Sequence, residues 1–570
     1  MRDYAYRSIS ILGVFIWCIG TLFYAYEMIV KSSINSLSLV LQGQYALSAT
    51  QLSLIASMFY WVYVIMQIPA GITIDRIGVR RSLIVASLCC GLGTIVFALS
   101  NSFWMMIATR AIMGIGGAFA FVCGLKLASQ WLPPRFFPLF AGLTQFMGYM
   151  GGAFTGAPLS SIVQHHNWVS VFITIGVVGV VISVLTFIFI RGKAPFAHDE
   201  RDQPSLLEVI AQLLSLIRRP QILANAIFCL CVGGVSFALT DLWGKIYLII
   251  NYGVSEGNAA FAANTMVFFG IALTSPLWGA LASVAQSSKR LLVIGGILGT
   301  VTTTSMLYLS VSNAALQLVL LYLFGFLIGA AQASHLLNFD LVKKLVSGKY
   351  VATAIALLNM FVIAGAAITQ VATGMTVEKI QHSQSYQAHA MSQTWDVVYN
   401  AVKEEDQLDN QMEIINVDKP KKKITLSYQG TKYLISLSIT KAAGQVRIFA
   451  RDLSSDPDNT RVIEKSKLLT VLLPYLKDHV LDTLDFDNLK QNNNEKRIHH
   501  KAQYNNSKKW IEPETVIYQG KSYYTAFLFD SPLAKRYAYR LAMLILPALF
   551  LIALIMALIT RDRKPEAVRF

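Results

Sequence analysis

Charged residues are scarce in this chain. Asp and Glu number 32 and Lys and Arg 48, so 14% of the 570 residues are charged, against about a quarter in an ordinary soluble globule. This scarcity argues against a conventional soluble domain for most of the chain and is what lipid exposure produces, because a charge in the bilayer core is costly. Apolar residues make up 54% of the chain and form runs of about 20 residues, the length of helix that crosses a bilayer core. The sequence therefore predicts a helical membrane protein whose first partner is the lipid bilayer.

Cysteine is also rare, and no catalytic or metal-binding pattern occurs. The six cysteines fall inside predicted spans without a ligand spacing, so we expect small core hydrophobes at Cys18, Cys89, Cys90, Cys123, Cys229 and Cys231. Neither a nucleotide-binding loop nor a nucleophile constellation is found, which disfavours ATP-driven transport and hydrolysis. We expect no enzyme activity, no catalytic residue, no metal and no cofactor.

The apolar runs predict twelve spanning helices. Their expected bounds are 8–38, 51–71, 82–100, 103–126, 137–160, 168–190, 221–250, 260–283, 291–310, 313–337, 350–374 and 537–560. Lys and Arg cluster at the even-numbered junctions, whereas residues 39–50, 101–102, 161–167 and 251–259 contain neither. By the positive-inside rule both termini are cytoplasmic and the odd-numbered junctions lie outside.

The predicted fold class is an all-α polytopic membrane protein with two pseudo-symmetric six-helix bundles and a small α+β insert. The segments are an N-terminal bundle (1–190), a cytoplasmic linker (191–220), helices seven to eleven (221–375), a periplasmic insert (376–535), and helix twelve with its tail (536–570). The linker carries an amphipathic stretch from Ser205 that is expected to lie along the membrane surface. The halves echo each other, since Gly71-x-x-x-Asp75 after helix two has a counterpart in Gly279-x-x-x-Ser283 after helix eight.

The insert has a different composition, with 22 Lys and Arg against 20 Asp and Glu and no cysteine. Alternating residues predict a hairpin about Gly430 over 423–439, a strand at 445–449 and strand again over 515–529, with a helix at 463–484 and a loop at 486–510. Two Tyr-Gln-Gly-x-x-Tyr runs, at 428–433 and 518–523, indicate two related hairpins. The rest of the chain holds 26 Lys and Arg against 12 Asp and Glu. That excess lies between helices, so nucleic acid is not an expected partner.

One motif resembles a known family. The run Gly71-x-x-x-Asp75-Arg76-x-Gly78-x-Arg80-Arg81 is similar to the signature loop between helices two and three of the major facilitator superfamily. Arg110-x-x-x-Gly114-x-Gly116 looks like that family's fourth-helix motif, and Trp168-x-x-x-Phe172 like the opening of its sixth helix. The resemblance covers about 1–375 and 537–570, and it implies secondary transport of a small molecule by alternating access.

The resemblance also implies a cytoplasmic gate made by Gly71, Asp75, Arg76, Gly78 and Arg80. Asp75 is expected near the N-terminus of helix eleven, around 349–353, where the helix dipole favours a carboxylate. Arg76 and Arg80 add cross-helix pairs. A plainer interpretation, in which the arginines only fix the topology, is favoured for Arg81.

An acid–base spacing occurs in both halves, as Glu27-x-x-x-Lys31 in helix one and Asp241-x-x-x-Lys245 in helix seven. At i,i+4 each pair lies on one helix face within reach of an ion pair. Ionisable groups in spans normally face a cavity or a partner. The pairs lie at the outer rim if about 20 residues already complete each span, or in the outer half of a central cavity if helix one continues to Leu39.

The first helix is also similar to that of organophosphate permeases, and to bacterial relatives of a lysosomal dipeptide carrier. The first resemblance implies that Lys31, in a Tyr-rich helix one, contacts a substrate phosphate. The second phosphate-binding Arg of that group falls near Phe237, so half of that site is missing, and an anionic or zwitterionic metabolite is expected instead. The second resemblance keeps a small peptide as an alternative substrate. Candidate substrate residues are Lys31, Lys245, Arg110, Tyr24, Gln145 and Asn359, and candidate proton-coupling residues are Glu27, Asp241 and His335.

Several of these residues have a second interpretation. His335 is equally well explained as a hydrogen-bonded core histidine, and Asn264, Asn338 and the other polar residues as helix-to-helix hydrogen bonds. Gly148-x-x-x-Gly152-x-x-x-Gly156 resembles a helix-five motif of antiporters but also suits plain packing.

The sequence as a whole favours a proton-coupled carrier in the inner membrane of a bacterium. The alternative is a transporter-like receptor whose insert, 376–535, binds a ligand or a periplasmic partner protein.

Overall fold

The computed structural model describes residues 10–45, 47–133, 136–191, 195–196, 206–285, 287–346, 351–383, 395, 399, 412–419, 422–428, 431–439, 445–452, 515–518, 521–530 and 532–560. The predicted helix at 463–484 and the loop at 486–510 lie outside these residues. The chain forms two compact units, one of residues 1–41, 47–375 and 543–570 and one of residues 42–46 and 376–542.

The N-terminal half of the first unit contains nine helices that make six spans. They are α1 (Ile11–Ser32), α2 (Ile34–Gln44), α3 (Ala49–Ile77), α4 (Val79–Ala98), α5 (Phe103–Gly117), α6 (Ala120–Trp131), α7 (Phe137–Phe154), α8 (Ala157–His165) and α9 (Trp168–Phe189). The linker helix α10 (Leu206–Ile217) follows, as the amphipathic stretch predicts.

The C-terminal half contains the other spans, two of them with a π turn. Among the described residues it consists of α11 (Pro220–Ala238), a first π turn (Leu239–Trp243), α12 (Gly244–Tyr252), α13 (Glu256–Ala260), a second π turn (Phe261–Thr265), α14 (Met266–Ala285), α15 (Ser288–Tyr308), α16 (Ala314–Ala333), α17 (Leu336–Leu345), α18 (Val351–Gln381) as far as Met375, and α20 (Ile545–Ile559). Helix α19 (Pro532–Met543) belongs to the second unit as far as Ala542.

Eleven helices within the described ranges are long and apolar enough to cross a membrane. The remaining predicted span, 137–160, is present as α7 and α8, which separate at Thr155 and Gly156 ahead of Pro158 because proline lacks the donor that a helix interior needs. The two-bundle helical fold is therefore confirmed. The span predicted over 350–374 is longer in the structure, because α18 continues to Gln381.

Exposed and buried side chains are distributed as lipid surroundings require. On α9, Val177, Val181 and Val184 are exposed while Gly176, Gly179 and Ser183 are buried, which allows close helix packing inside and apolar contact outside. One cysteine departs from our expectation, because Cys18 is exposed rather than in the core. An apolar side chain on the lipid face is as well solvated as one in the core, so hydropathy alone cannot tell the two apart.

The second unit contains a six-stranded antiparallel sheet in the order β1-β2-β3-β4-β6-β5. The strands are β1 (Met412–Asp418), β2 (Lys423–Tyr428), β3 (Thr431–Ile439), β4 (Gln445–Asp452), β5 (Thr515–Tyr518) and β6 (Lys521–Asp530). Both predicted hairpins are present, with Tyr428 opposite Thr431 and Tyr518 opposite Lys521. Strand β1 was not predicted. The strand region predicted over 515–529 is present as β5 and β6, which pair with each other.

Candidate substrate site between the bundles

The four predicted charges of helices one and seven are all buried. Glu27, Lys31, Asp241 and Lys245 are exposed by 0, 4, 1 and 0% respectively. The first span reaches Gln44, so Lys31 lies 13 residues, about 20 Å at the helical rise, from that end. Lys31 is therefore buried well inside this helical span, and its position relative to the rim of the cavity stays a prediction.

Glu27 and Lys31 lie together on one face of α1, as the spacing predicts. Their nearest N and O atoms are 3.8 Å apart, and Lys31 Nζ lies 2.7 Å from Met28 Sδ. Across the bundle boundary, Nζ lies 5.1 Å from the centre of the Phe237 ring on α11. Both Glu27 oxygens lack a hydrogen-bond donor among the residues that the structure describes. The ammonium group of Lys31 is thus only weakly paired.

Asp241 and Lys245 do not form the ion pair that their spacing suggests. Asp241 accepts a hydrogen bond from the Tyr60 hydroxyl of the other bundle and a second, of 2.8 Å, from Thr240 Oγ1. Lys245 pairs instead with Glu256 at 2.8 Å, and its Nζ donates to the Ser36 carbonyl at 3.4 Å. The cause is the π turn over Leu239–Trp243, whose extra residue rotates Lys245 out of register by about 100°.

Arg110 occupies a site made of backbone. Its guanidinium donates to the carbonyl oxygens of Val30 and Lys31 at 2.9 and 3.0 Å and to those of Ile55 and Ala56 at 3.3 Å each. The Val30 carbonyl also accepts from Ser33 Oγ at 2.8 Å, where α1 ends. The side chain, 1% exposed, therefore joins α1 to α3, which are parts of the first and second spans.

The other candidates lie in three separate places. Tyr24 donates to Gln145 Oε1 at 3.5 Å, and Gln145 donates from Nε2 to Tyr149 at 3.1 Å, so helices one and five share a polar strip. Asn359 is half-buried in α18. His335 is buried at the α16–α17 break, where Nδ1 lies 2.7 Å from the Gln332 carbonyl oxygen.

The two bundles are joined at the predicted outer end. Asn264 donates to Thr155 Oγ1 at 3.1 Å, Thr265 donates to the Ala153 carbonyl at 3.1 Å, and the Ala157 N–H donates to Thr265 Oγ1 at 3.2 Å. With the Lys245–Ser36 bond these contacts form an outer closure, the term used below for Ser36, Ala153, Thr155, Ala157, Lys245, Asn264 and Thr265. Asn264 thus has the helix-to-helix role that its second interpretation describes.

The helix-five glycines pack in three different places. A methyl group added at Gly148 would overlap the Tyr24 ring, one at Gly152 would come within 2.9 Å of Phe268, and one at Gly156 would overlap Thr265 Oγ1 and come within 2.7 Å of Asn264 Oδ1. Tyr24 belongs to the same bundle, whereas Phe268, Thr265 and Asn264 belong to the other. Gly152 and Gly156 therefore permit the bundles to approach.

Gly156→Ala is expected to hold the outer end open. The added methyl group has no room between Asn264 and Thr265, so the closed form loses stability relative to the open form. Spin labels at Asn101 and Ser312, both exposed at the predicted outer end, should report a longer distance in the variant. Gly142→Ala on the same helix meets open space and should leave the distance unchanged. An unchanged distance in Gly156→Ala would show that the contact at Gly156 does not control closure.

The cytoplasmic motif makes contacts within its own bundle. The N-terminus of helix eleven, which the resemblance implies for Asp75, falls partly on residues 347–350, outside the described residues, so that contact stays a prediction. Asp75 pairs with Lys126 of α6 at 3.0 Å, within its own bundle. Arg80 donates to the Phe187 carbonyl at the end of α9 at 2.8 Å, which is a cross-helix bond, whereas Arg76 is exposed. Gly78 has φ of +88° between α3 and α4, a conformation that favours glycine, and a methyl group at Gly71 would meet open space.

Sequence reasoning missed Tyr60 and Glu256, the partners of Asp241 and Lys245. Tyr60 lies within an aromatic run of α3, between Phe59 and Trp61, and Glu256 opens α13 outside the predicted spans. Neither position carries a local signal, because each acquires its role only when the two helices meet.

Comparison with known proteins identifies the fold. A family model of the Major Facilitator Superfamily matches residues 16–370. The chain belongs to this superfamily.

Two curated relatives are named as transporters. The chain is 28% identical over 188 residues to a probable sulfoacetate transporter of Cupriavidus necator (33% of this chain, 44% of the relative). It is 29% identical over 163 residues to a hexuronate transporter of Bacillus subtilis (29% of this chain, 39% of the relative). The chain thus spans less than half the length of these relatives. Neither is an enzyme, in agreement with our expectation.

A solved structure supports the fold at larger scale. A bacterial homologue of the human lysosomal transporter Spinster, in an inward-facing and unoccupied conformation, matches with a TM-score of 0.55 and 17% identity, over 71% of this chain and 88% of that one. At this identity the likeness shows the fold alone.

Proposed function

We propose that this protein is a secondary active transporter of a small organic anion, with Lys31 as the residue that binds the anionic group. Lys31 carries this proposal. Of the three buried cations discussed above, Arg110 is held by four carbonyl oxygens and Lys245 by Glu256 and Ser36. Among the described residues, Lys31 has one carboxylate at 3.8 Å and no hydrogen bond to oxygen. A carboxylate or sulfonate of a substrate would supply the missing acceptor.

The relatives support the substrate class. Sulfoacetate and hexuronate both carry at least one anionic group, and a hexuronate also carries several hydroxyls. In this chain, Tyr24, Gln145 and Tyr149 offer hydroxyl and amide groups on helices one and five. We infer a carboxylated or sulfonated metabolite, bound by Lys31 at one end and by this polar strip at the other.

The geometry supports alternating access with the outer side closed in this conformation. Five hydrogen bonds join the two bundles among the described residues. One runs from Tyr60 to Asp241, and the other four belong to the outer closure. Opening this end requires those bonds to break as the bundles rock. We place the protein in a bacterial inner membrane with both termini in the cytoplasm, on the distribution of Lys and Arg.

Glu27 is the proposed proton carrier. A carrier must exist in two protonation states, and Asp241 and His335 are each committed to hydrogen bonds, with Tyr60 and Thr240 or with Gln332. Glu27 has Lys31 as its weak partner and no hydrogen bond among the described residues that a proton would disrupt. An anion that takes over Lys31 would leave Glu27 free to accept a proton, which couples the two ligands.

The transport assay uses purified protein in vesicles with labelled glucuronate, galactonate and sulfoacetate, with and without a pH gradient. Accumulation that follows the gradient supports the proposal. Absence of flux for every organic acid, with folded protein, would reject it and favour the receptor alternative.

Glu27→Gln is expected to separate exchange from accumulation. The amide keeps the size of the side chain but cannot cycle a proton, so the variant should exchange labelled for unlabelled anion yet fail to accumulate it along a pH gradient. Glu208→Gln, on the linker helix, removes a carboxylate away from the site and should accumulate normally. Gradient-driven accumulation by Glu27→Gln would rule out Glu27 as the proton carrier.

The insert has no role in this proposal. That residues 376–535 lie in the periplasm and contact a partner there stays a prediction from topology.

A further inference from the structure

The hydrogen bond between Tyr60 and Asp241 joins the two bundles deep inside the protein. Tyr60 lies on α3, 0% exposed, and Asp241 lies in the first π turn, 1% exposed. Tyr60 lies 11 residues from the start of α3 at Ala49, about 16 Å along the helix. The bond therefore lies about three helical turns from the start of α3, buried between the two bundles.

On one side, Tyr60 is in contact with the anion site. Its ring centre lies 5.8 Å from that of Phe237, and Lys31 Nζ lies 5.1 Å from the same Phe237 ring. Lys31 also acts electrostatically on Asp241. An anion bound to Lys31 would thus alter the surroundings of both partners in the bond.

On the other side, Asp241 is connected to the outer closure. Thr240 donates to Asp241, and the Thr240 carbonyl accepts from Asn264 Nδ2 at 2.8 Å. The same Asn264 amide donates to Thr155 Oγ1 in the N-terminal bundle. A continuous series of bonds therefore runs from Tyr60 through the π turn to the outer closure and back to the first bundle.

We propose that Tyr60 is a positioning residue that holds Asp241 against the N-terminal bundle and thereby links the anion site to closure of the outer end. The π turn makes this role available, because it frees Asp241 from Lys245 and directs it to the other bundle. This inference rests on the proposed transport function. A hydrogen bond to a charged group is strong enough to change a two-state equilibrium substantially.

The experiment measures the distance between spin labels at Asn101 and Ser312 in the full chain, without substrate, in a background with Cys18 and Cys89 replaced by serine. Tyr60→Phe removes only the hydroxyl and keeps the ring on Phe237. It should shift the ratio of closed to open forms by roughly 10-fold or more toward open. Tyr63→Phe removes a hydroxyl from the next turn of the same helix, where the ring stacks on Phe59 within one bundle, and should leave the ratio unchanged.

A double-mutant cycle separates positioning from general loosening. Asp241→Asn weakens the same bond from the other side, so the double variant should open no further than the stronger single one. Additive effects, or an unchanged ratio in either single variant, would overturn the proposal. If Tyr60→Phe gives no folded protein, Asp241→Asn and Thr240→Val are compared by the same distance measurement. Both should shift the ratio toward the open form, and an unchanged ratio would overturn the proposal. Because no substrate is present, a negative result here leaves the transport assay untouched, and failed transport leaves the distances meaningful.

Discussion

Lys31→Met is expected to abolish anion transport. The substitution removes the buried lysine that makes no hydrogen bond to oxygen among the described residues. Truncating one partner of a buried charge pair costs about 2–5 kcal/mol. The expected loss in kcat/KM is therefore about 30-fold or more. Lys31→Arg should recover part of the activity, since it keeps the charge with a different shape. Initial uptake rates over a range of anion concentrations measure both effects.

The uptake experiment with Lys31→Met must distinguish loss of anion binding from loss of folded protein. Lys31→Met leaves Glu27 buried without its cation, which is itself destabilising. The double variant Glu27→Gln/Lys31→Met removes both charges of the Glu27–Lys31 pair and leaves Asp241 its hydrogen bonds from Tyr60 and Thr240, so it should fold like the wild type and still bind no anion. Lys289→Met, at the start of α15 where Nζ bonds the Leu558 carbonyl, removes a lysine remote from the site and should transport normally. A wild-type KM in the folded double variant would exclude Lys31 as the anion ligand.

The spans could be predicted from the sequence because their formation depends on composition over about 20 residues and on little else. Breaks inside the spans depend on particular residues and are harder to predict. The separation of α7 from α8 has a visible cause in Gly156 and Pro158, whereas the π turn at Leu239–Trp243 contains neither glycine nor proline. Its consequence, the different partners of Asp241 and Lys245, could not be predicted from an i,i+4 rule that assumes a regular helix.

The candidate site shows the same division between local and distant causes. The Glu27–Lys31 contact is local and was predicted correctly. Partners from distant parts of the chain, such as Tyr60 for Asp241 and Phe237 for Lys31, follow only from the packing of the bundles. Phe237 is instructive, because it was noted as the position of a missing arginine and in fact contacts Lys31. An aromatic ring at that position leaves Lys31 as the basic group on this face of the site.

Arg110 tests whether an intramembrane charge identifies a substrate ligand. Charged residues in spans are functional candidates by default, and the sequence analysis included Arg110 among them for that reason. The structure instead places its guanidinium on the backbone of helices one and two, with the Phe59 ring 5.0 Å away. Its five donors in a planar fork can reach carbonyls from two helices at once, which a lysine cannot do.

Arg110→Met is accordingly expected to lower the stability of the folded protein and to leave anion binding unchanged. Four carbonyl oxygens would lose a donor in surroundings where water does not replace it, and each interhelical bond in a membrane contributes about 0.6 kcal/mol or more. We expect a lower thermal midpoint and a lower folded yield in detergent, with KM unchanged in the protein that does fold. Arg110→Lys should recover only part of the stability. Arg81→Met, an exposed arginine of the same bundle, should leave the midpoint near that of the wild type. A stable Arg110→Met variant that has lost anion binding would return Arg110 to the substrate site and leave its four carbonyl bonds as a resting arrangement that the substrate replaces.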